Sequence, residues 1–223
     1  MMSVNAPVLV FMGVASTGKS TVAAMLAGRL GWAFEEGDDL HPEANVAKMA
    51  AGHALDDDDR WPWLDLIAEW IDERIEAGEP GIVTCSALKR SYRDVLRRDA
   101  VTFVHFAGER DLILDRMLRR EGHFMPTTLL DSQFATLEPL EDDERAIEID
   151  IALTPAEQAA QIASRLRLHP DYCDDPSGRD TQSHGELDPA RGRSTAFGAV
   201  AQRRAGGVFT ADRRRSESAR YEQ

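Results

Sequence analysis

Short apolar runs alternate with stretches of helical period from residue 8 to about residue 168. The runs at 8–12, 33–36, 81–85, 101–106 and 147–152 are the strand candidates. Two of them, Gly81-Ile82-Val83-Thr84-Cys85 and Val101 to Phe106, are almost wholly apolar, as strands covered on both faces should be. Between the runs, Trp63, Ile67, Trp70, Ile71 and Ile75 form one apolar stripe. That helix is expected to carry Pro62 in its first turn, where a missing N–H costs little. Further helices are expected at 43–50, 90–98, 109–120, 127–137 and 155–168. The last opens on Thr154-Pro155-Ala156-Glu157, which reads as an N-cap, a first-turn proline and a capping-box glutamate. Strands alternating with helices predict an α/β fold, three layers deep, with helices on both faces of a five-stranded parallel sheet. After His169-Pro170 the periodicity stops. Residues 1–170 are therefore expected to form one domain, and 171–223, rich in Gly, Ser, Asp and Arg, a disordered polar tail.

The first strand runs straight into Gly13-Val14-Ala15-Ser16-Thr17-Gly18-Lys19-Ser20, followed by Thr21 and a helical pattern. The octet fills G-x-x-x-x-G-K-[ST] between a strand and a helix, the context in which it means a phosphate-binding loop. Gly13 and Gly18 let the backbone N–H groups point inward at a helix start that already favours anions. Lys19 would reach the outer phosphates, and the Ser20 hydroxyl would ligate Mg²⁺. This predicts a nucleoside triphosphate site with residues 13–21 as its cradle.

Charge and cysteine content narrow the class. The net charge is −13, carried entirely by the first 170 residues, because acidic and basic residues balance in 171–223. A nucleic-acid partner would call for a basic face, so none is expected. Cys85 and Cys173 lie far apart and suggest neither a disulfide framework nor a metal site. No signal segment or membrane span is apparent, and a soluble cytoplasmic protein is expected.

Two further clusters bear on chemistry. The strand at 81–85 ends without the metal-binding carboxylate usual in GTPases and motor ATPases. Acidic groups follow the second strand instead, at Gly37-Asp38-Asp39-Leu40-His41-Pro42. Strand ends of an open parallel sheet face the ligand crevice, so a carboxylate there could accept a proton from an attacking hydroxyl. Capping of the following helix is the competing use of Asp38 or Asp39. Arg116, Arg119 and Arg120 share a helix side that ends at Gly122-His123, and suit a small helical lid at about 116–127 that closes on phosphates. A basic helix end complementing the macrodipole is the alternative.

The chain resembles bacterial gluconokinases of the small P-loop type, relatives of shikimate and nucleoside-monophosphate kinases. The resemblance rests on the P-loop, the 37–42 block, Asn45 with Lys48-Met49 and Gly52, and Leu55-Asp56-Asp57-Asp58-Asp59-Arg60-Trp61-Pro62-Trp63-Leu64. It continues through Cys85-Ser86-Ala87-Leu88-Lys89 with Tyr92-Arg93-Asp94, Gly122-His123-Phe124-Met125, and Ser132-Gln133-Phe134 with Leu137-Glu138-Pro139. It implies a P-loop kinase fold and transfer of the ATP γ-phosphate, with Mg²⁺, to the terminal hydroxyl of D-gluconate. On that reading Asp38 is the base, Lys19 and Arg120 stabilise the migrating phosphoryl, and Arg116 and Arg119 close on ATP. His41, Lys48, Asp57, Arg60, Lys89, Arg93 and His123 would hold the sugar acid, with Ser86 a further hydroxyl ligand. A homodimer is also implied. The chain departs from the pattern where the loop interior, Ala15-Ser16-Thr17, lacks a glycine often found there. The rival readings are a kinase of another hydroxy acid such as shikimate, and a non-catalytic nucleotide-binding regulator.

Overall fold

Five strands align side by side in the computed structural model, which describes residues 6–51, 53–119 and 127–169. They are β1 (Val8–Met12), β2 (Ala33–Glu35), β3 (Gly81–Thr84), β4 (Val101–Ala107) and β5 (Ala146–Asp150). Their spatial order is β2-β3-β1-β4-β5, and every pairing is parallel. Val10 in the central strand lies opposite Val83 on one side and Phe103 on the other.

Alternation along these strands builds two cores, because successive side chains leave a strand on opposite faces. Leu9 and Phe11 join Ile82, Val104 and Phe106 beneath α1 (Lys19–Leu30), α5 (Arg110–Arg119), α6 (Thr127–Thr136) and α7 (Pro155–Leu166). Val8, Val10 and Met12 join Val83, Val101 and Phe103 beneath α3 (Asp57–Ala77) and α4 (Arg90–Leu96). This is the expected three-layer P-loop kinase fold. A short helix, α2 (Glu43–Ala50), follows β2. The Thr154 capping box forms as expected at the start of α7.

One helix departs from expectation. α3 begins at Asp57, so Pro62 stands inside it rather than in its first turn. The acidic run causes the early start. Asp56 accepts a hydrogen bond from Asp59 N–H while the Asp59 side chain accepts from Asp56 N–H. Asp57, Asp58 and Asp59 then occupy the first turn, where the helix dipole favours negative charge. Asn45 Nδ2 donates to the Asp59 carbonyl at 2.7 Å, which ties α2 to the turn that the proline interrupts. Most of the lid at 116–127, and the tail 171–223, lie outside the described residues.

Candidate active site

The phosphate loop leaves β1 at Gly13, whose φ of 125° is open to glycine alone at this spot, since a Cβ would sit 2.9 Å from the Phe106 carbonyl oxygen. Its N–H donates to the Ser86 carbonyl at 3.1 Å. The loop winds about the buried Thr17, whose hydroxyl donates to Val14 O at 3.0 Å, so Thr17 can offer a ligand its N–H but not its side chain. α1 starts at Lys19 with no side-chain cap, which leaves its first N–H groups for an anion. Ser20 and Thr21 are exposed on that turn. The Lys19 ammonium donates back to Gly13 O at 3.0 Å and Val14 O at 2.8 Å. Burial pulls its pKa below the usual lysine value, against the opposing charge of Asp38.

Where the sequence lacks a loop glycine, the backbone still takes a glycine conformation. Ser16 has φ 63°, which costs a side-chain-bearing residue about 1–2 kcal/mol. The neighbouring Ala15 N–H donates to Gln133 Oε1 of α6 at 2.7 Å. Gln133 belongs to a block quoted above, but the sequence assigns it no role; its place as a polar residue on the helix face shared by Leu130, Phe134 and Leu137 is the signal that could have marked it.

Asp38 lies in a 3-10 turn (Gly37–Leu40) directly after β2. Three bonds fix this turn. Gly37 N–H donates to the Thr84 hydroxyl at 3.1 Å, that hydroxyl donates to Glu36 Oε1, and Trp63 Nε1 donates to Gly37 O at 2.6 Å. A Cβ on Gly37 would overlap the Thr84 carbonyl oxygen at 1.9 Å, so the close approach requires glycine. α2 carries no side-chain cap, and neither Asp38 nor Asp39 is used as one. Asp38 is exposed, and its charge acts on both Lys19 and His41. His41 stacks on Trp63 with ring centroids 4.2 Å apart, and its Nδ1 lies 3.3 Å from Asn45 Nδ2. Burial moves its pKa below the ordinary histidine value, assisted by Arg60 and opposed by Asp38.

The start of α3 gathers most of the expected acceptor-side residues. Asp57 accepts from Lys89 Nζ at 2.6 and 2.9 Å and from the Tyr92 hydroxyl at 2.6 Å. Arg60 stands 3.7 Å from the same carboxylate. The Lys89 hydrogen bond, then that of Tyr92, holds Asp57 below the usual carboxylate pKa. Two cations thus share one carboxylate, so one of them can turn to an anionic ligand without leaving Asp57 unpaired. Lys48 is paired with Asp56 at 2.9 Å and with Asp59. Tyr92, quoted above only within the block that carries the resemblance, is the group that braces Asp57.

Arg93 does not belong to this group. It was expected as a substrate cation but is fully buried. Nε and Nη2 donate to the Glu144 carboxylate, while Nη1 and Nη2 donate to the carbonyls of Leu88, Glu138 and Pro139. Its donors are used by the protein itself, and it serves as an internal brace.

Of the lid arginines, Arg116 reaches the phosphate loop. Its Nη2 donates to Ile151 O at 2.5 Å, and its Nη1 lies 3.4 Å from Thr17 O. Arg119 is 83% exposed and among the described residues is paired with Asp115, at 3.9 Å, so it does not reach the loop as Arg116 does. Arg120 and His123 lie outside the described residues.

A carboxylate opposed to a phosphate-loop lysine across the strand ends of this sheet is the arrangement of a small-molecule P-loop kinase. No family model matches the chain. It is 56% identical over 143 residues to a gluconokinase from Gluconobacter oxydans, covering 63% of this chain and 80% of that one. A sugar kinase structure from Janibacter sp. superposes with TM-score 0.71 at 45% identity, over 76% of this chain and 99% of the other. A gluconokinase structure from Sinorhizobium meliloti gives TM-score 0.63 at 42% identity, over 73% and 97%. The chain belongs to the gluconokinase family.

Proposed function

We propose that this chain is a gluconokinase that transfers the γ-phosphoryl group of ATP to the terminal hydroxyl of D-gluconate, giving 6-phosphogluconate and ADP. The observation that carries the reading is the exposed Asp38 carboxylate, which follows β2 and acts across the end of β3 on the half-buried Lys19 ammonium that follows β1. Asp38 takes the proton of the attacking hydroxyl. The hydroxyl oxygen bonds the γ-phosphorus as the bond to the bridging oxygen breaks, and ADP leaves with that electron pair. Lys19 exchanges the Gly13 and Val14 carbonyls for phosphate oxygens, and its charge follows the migrating group. His41, Lys48, Asp57, Arg60 and Lys89 hold the sugar acid, one of the two cations beside Asp57 turning to its carboxylate. His123 is a further acceptor ligand on this reading. Arg116 is already against the loop, and Arg119 and Arg120 join it when the lid closes.

The donors available near the loop are hard oxygens, the Ser20 hydroxyl with the Asp38 and Glu36 carboxylates, and they fit Mg²⁺, which takes few protein ligands beside phosphates. Ser20 would hold it, and when bound it supplies positive charge to the phosphate oxygens. Family resemblance further supports a cytoplasmic homodimer. Among the described residues no helix is long and apolar enough to cross a membrane.

The deciding measurement is coupled ADP release at saturating ATP-Mg²⁺ with gluconate, shikimate or no acceptor. Turnover with gluconate alone is expected. Turnover with shikimate would overturn the substrate assignment, and ATP binding without turnover on either acceptor would favour a regulator. Asp38→Ala is expected to lower kcat by at least about a hundredfold while ATP still binds in calorimetry. Near-normal turnover would remove Asp38 from the mechanism.

A further inference from the structure

The phosphate loop is held from outside by a residue that none of the roles above employs. Gln133 accepts the Ala15 N–H at 2.7 Å across 118 residues of sequence. The very next residue, Ser16, is the one held in a left-handed conformation without being glycine. Apolar packing at this junction is incomplete. Val14 of the loop, Phe134 and Leu137 line a cavity of about 90 Å³ together with His105 and Ile113. Val14 and Phe134 are the chain neighbours of Ala15 and Gln133, so the polar tether stands at the edge of a gap that close packing does not fill. A few residues on, the same segment grips the acceptor side, where Glu138 N–H donates to Leu88 O at 2.8 Å and the Glu138 side chain accepts from Arg90 N–H.

We propose that Gln133 is a positioning residue that keeps the Ala15–Ser16 turn wound for nucleotide, and so sets ATP affinity rather than the rate of phosphoryl transfer. The inference rests on the reading of residues 13–21 as the ATP site. Without the tether Ser16 relaxes toward the ordinary backbone regions, and the loop's N–H groups no longer converge. Apparent affinity then falls by the fraction of molecules whose loop remains wound. Once ATP is seated its phosphates hold the loop's other N–H groups and keep the turn wound, so the chemical step proceeds normally. A glycine at position 16 adopts the left-handed turn without strain, and this makes the tether dispensable.

That last consequence supplies the test, a double-mutant cycle in the full chain. Gln133→Met keeps the length of the side chain and removes its acceptor. It is expected to raise the calorimetric Kd for a non-hydrolysable ATP analogue with Mg²⁺, and the KM for ATP, about fivefold to tenfold, the worth of one hydrogen bond. The kcat and the KM for gluconate should stay within about twofold of wild type. In the Ser16→Gly background the same substitution should change ATP affinity by about twofold or less. An equal penalty in both backgrounds would overturn the proposal. So would unchanged ATP affinity in Gln133→Met, or a fall in kcat with Kd unaltered. A wild-type chain that binds no nucleotide would remove the ATP reading and this proposal together. Wild-type binding that Gln133→Met fully retains would remove this proposal alone.

Discussion

Arg93 carries a full charge with no exposed surface, and its position could not be read from the residues around it. Its carboxylate partner, Glu144, lies 51 residues away, and no periodicity or spacing links the two. The phosphate loop is the opposite case. Gly13, Lys19 and Ser20 were legible because their geometry is local, a turn between one strand and one helix. Ser16 was half legible: the missing glycine shows in the sequence, but not that the serine adopts the glycine's conformation. Since Arg93 is a brace rather than a ligand, Arg93→Met should cost about 3–5 kcal/mol by stranding the Glu144 charge. Arg93→Met with Glu144→Leu should recover most of that stability in denaturant titrations. Gluconate KM in the folded double variant should stay near wild type; a large rise would return Arg93 to the substrate site.

At the scale of elements, strand positions followed from hydrophobicity and were found within a residue or two. β1 matches its expected bounds, and β5 is shifted by a residue or two. β1, β3 and most of β4 are buried on both faces, and a short apolar run has few other places to go. The start of α3 was misjudged because Pro62 is a strong local stop signal, whereas the reciprocal Asp56–Asp59 cap is a pairwise effect that outweighs it. The cap is separable from the Lys48 ion pair that Asp56 also makes. Asp56→Asn keeps a capping side chain and loses only an exposed pair, so its melting temperature should stay close to wild type. Asp56→Ala removes the cap as well and should cost about 1 kcal/mol. Equal melting temperatures for the two variants would show that the cap contributes nothing.

Across the whole molecule, the sheet order brings the ends of β1, β2 and β3 together, and with them the loop, Asp38 and the Lys89 segment. That convergence was predictable from fold class, whereas the pairing of each cation with a particular carboxylate was not, because it depends on side-chain reach across α3 and α4. Two half-buried histidines give the fold an acid limb. His41 and His105 are both held by burial below the ordinary histidine value. Their unfolded forms take up protons near pH 6.5 while the folded forms do not. Stability should thus be level above about pH 6.5 and decline as pH falls from there through the folded pKa values. Melting curves from pH 8 to 5 should show the decline, and His41→Asn with His105→Asn should flatten it; an unchanged slope would rule these histidines out as its cause. The fully buried ion pair has one more consequence, for the paths open to the gene. Either partner exchanged alone leaves an unpaired charge in the interior, while both exchanged together are tolerated. Drift by single steps therefore meets a valley at position 93 from one side and at 144 from the other, although both side chains are spent on the protein's own interior.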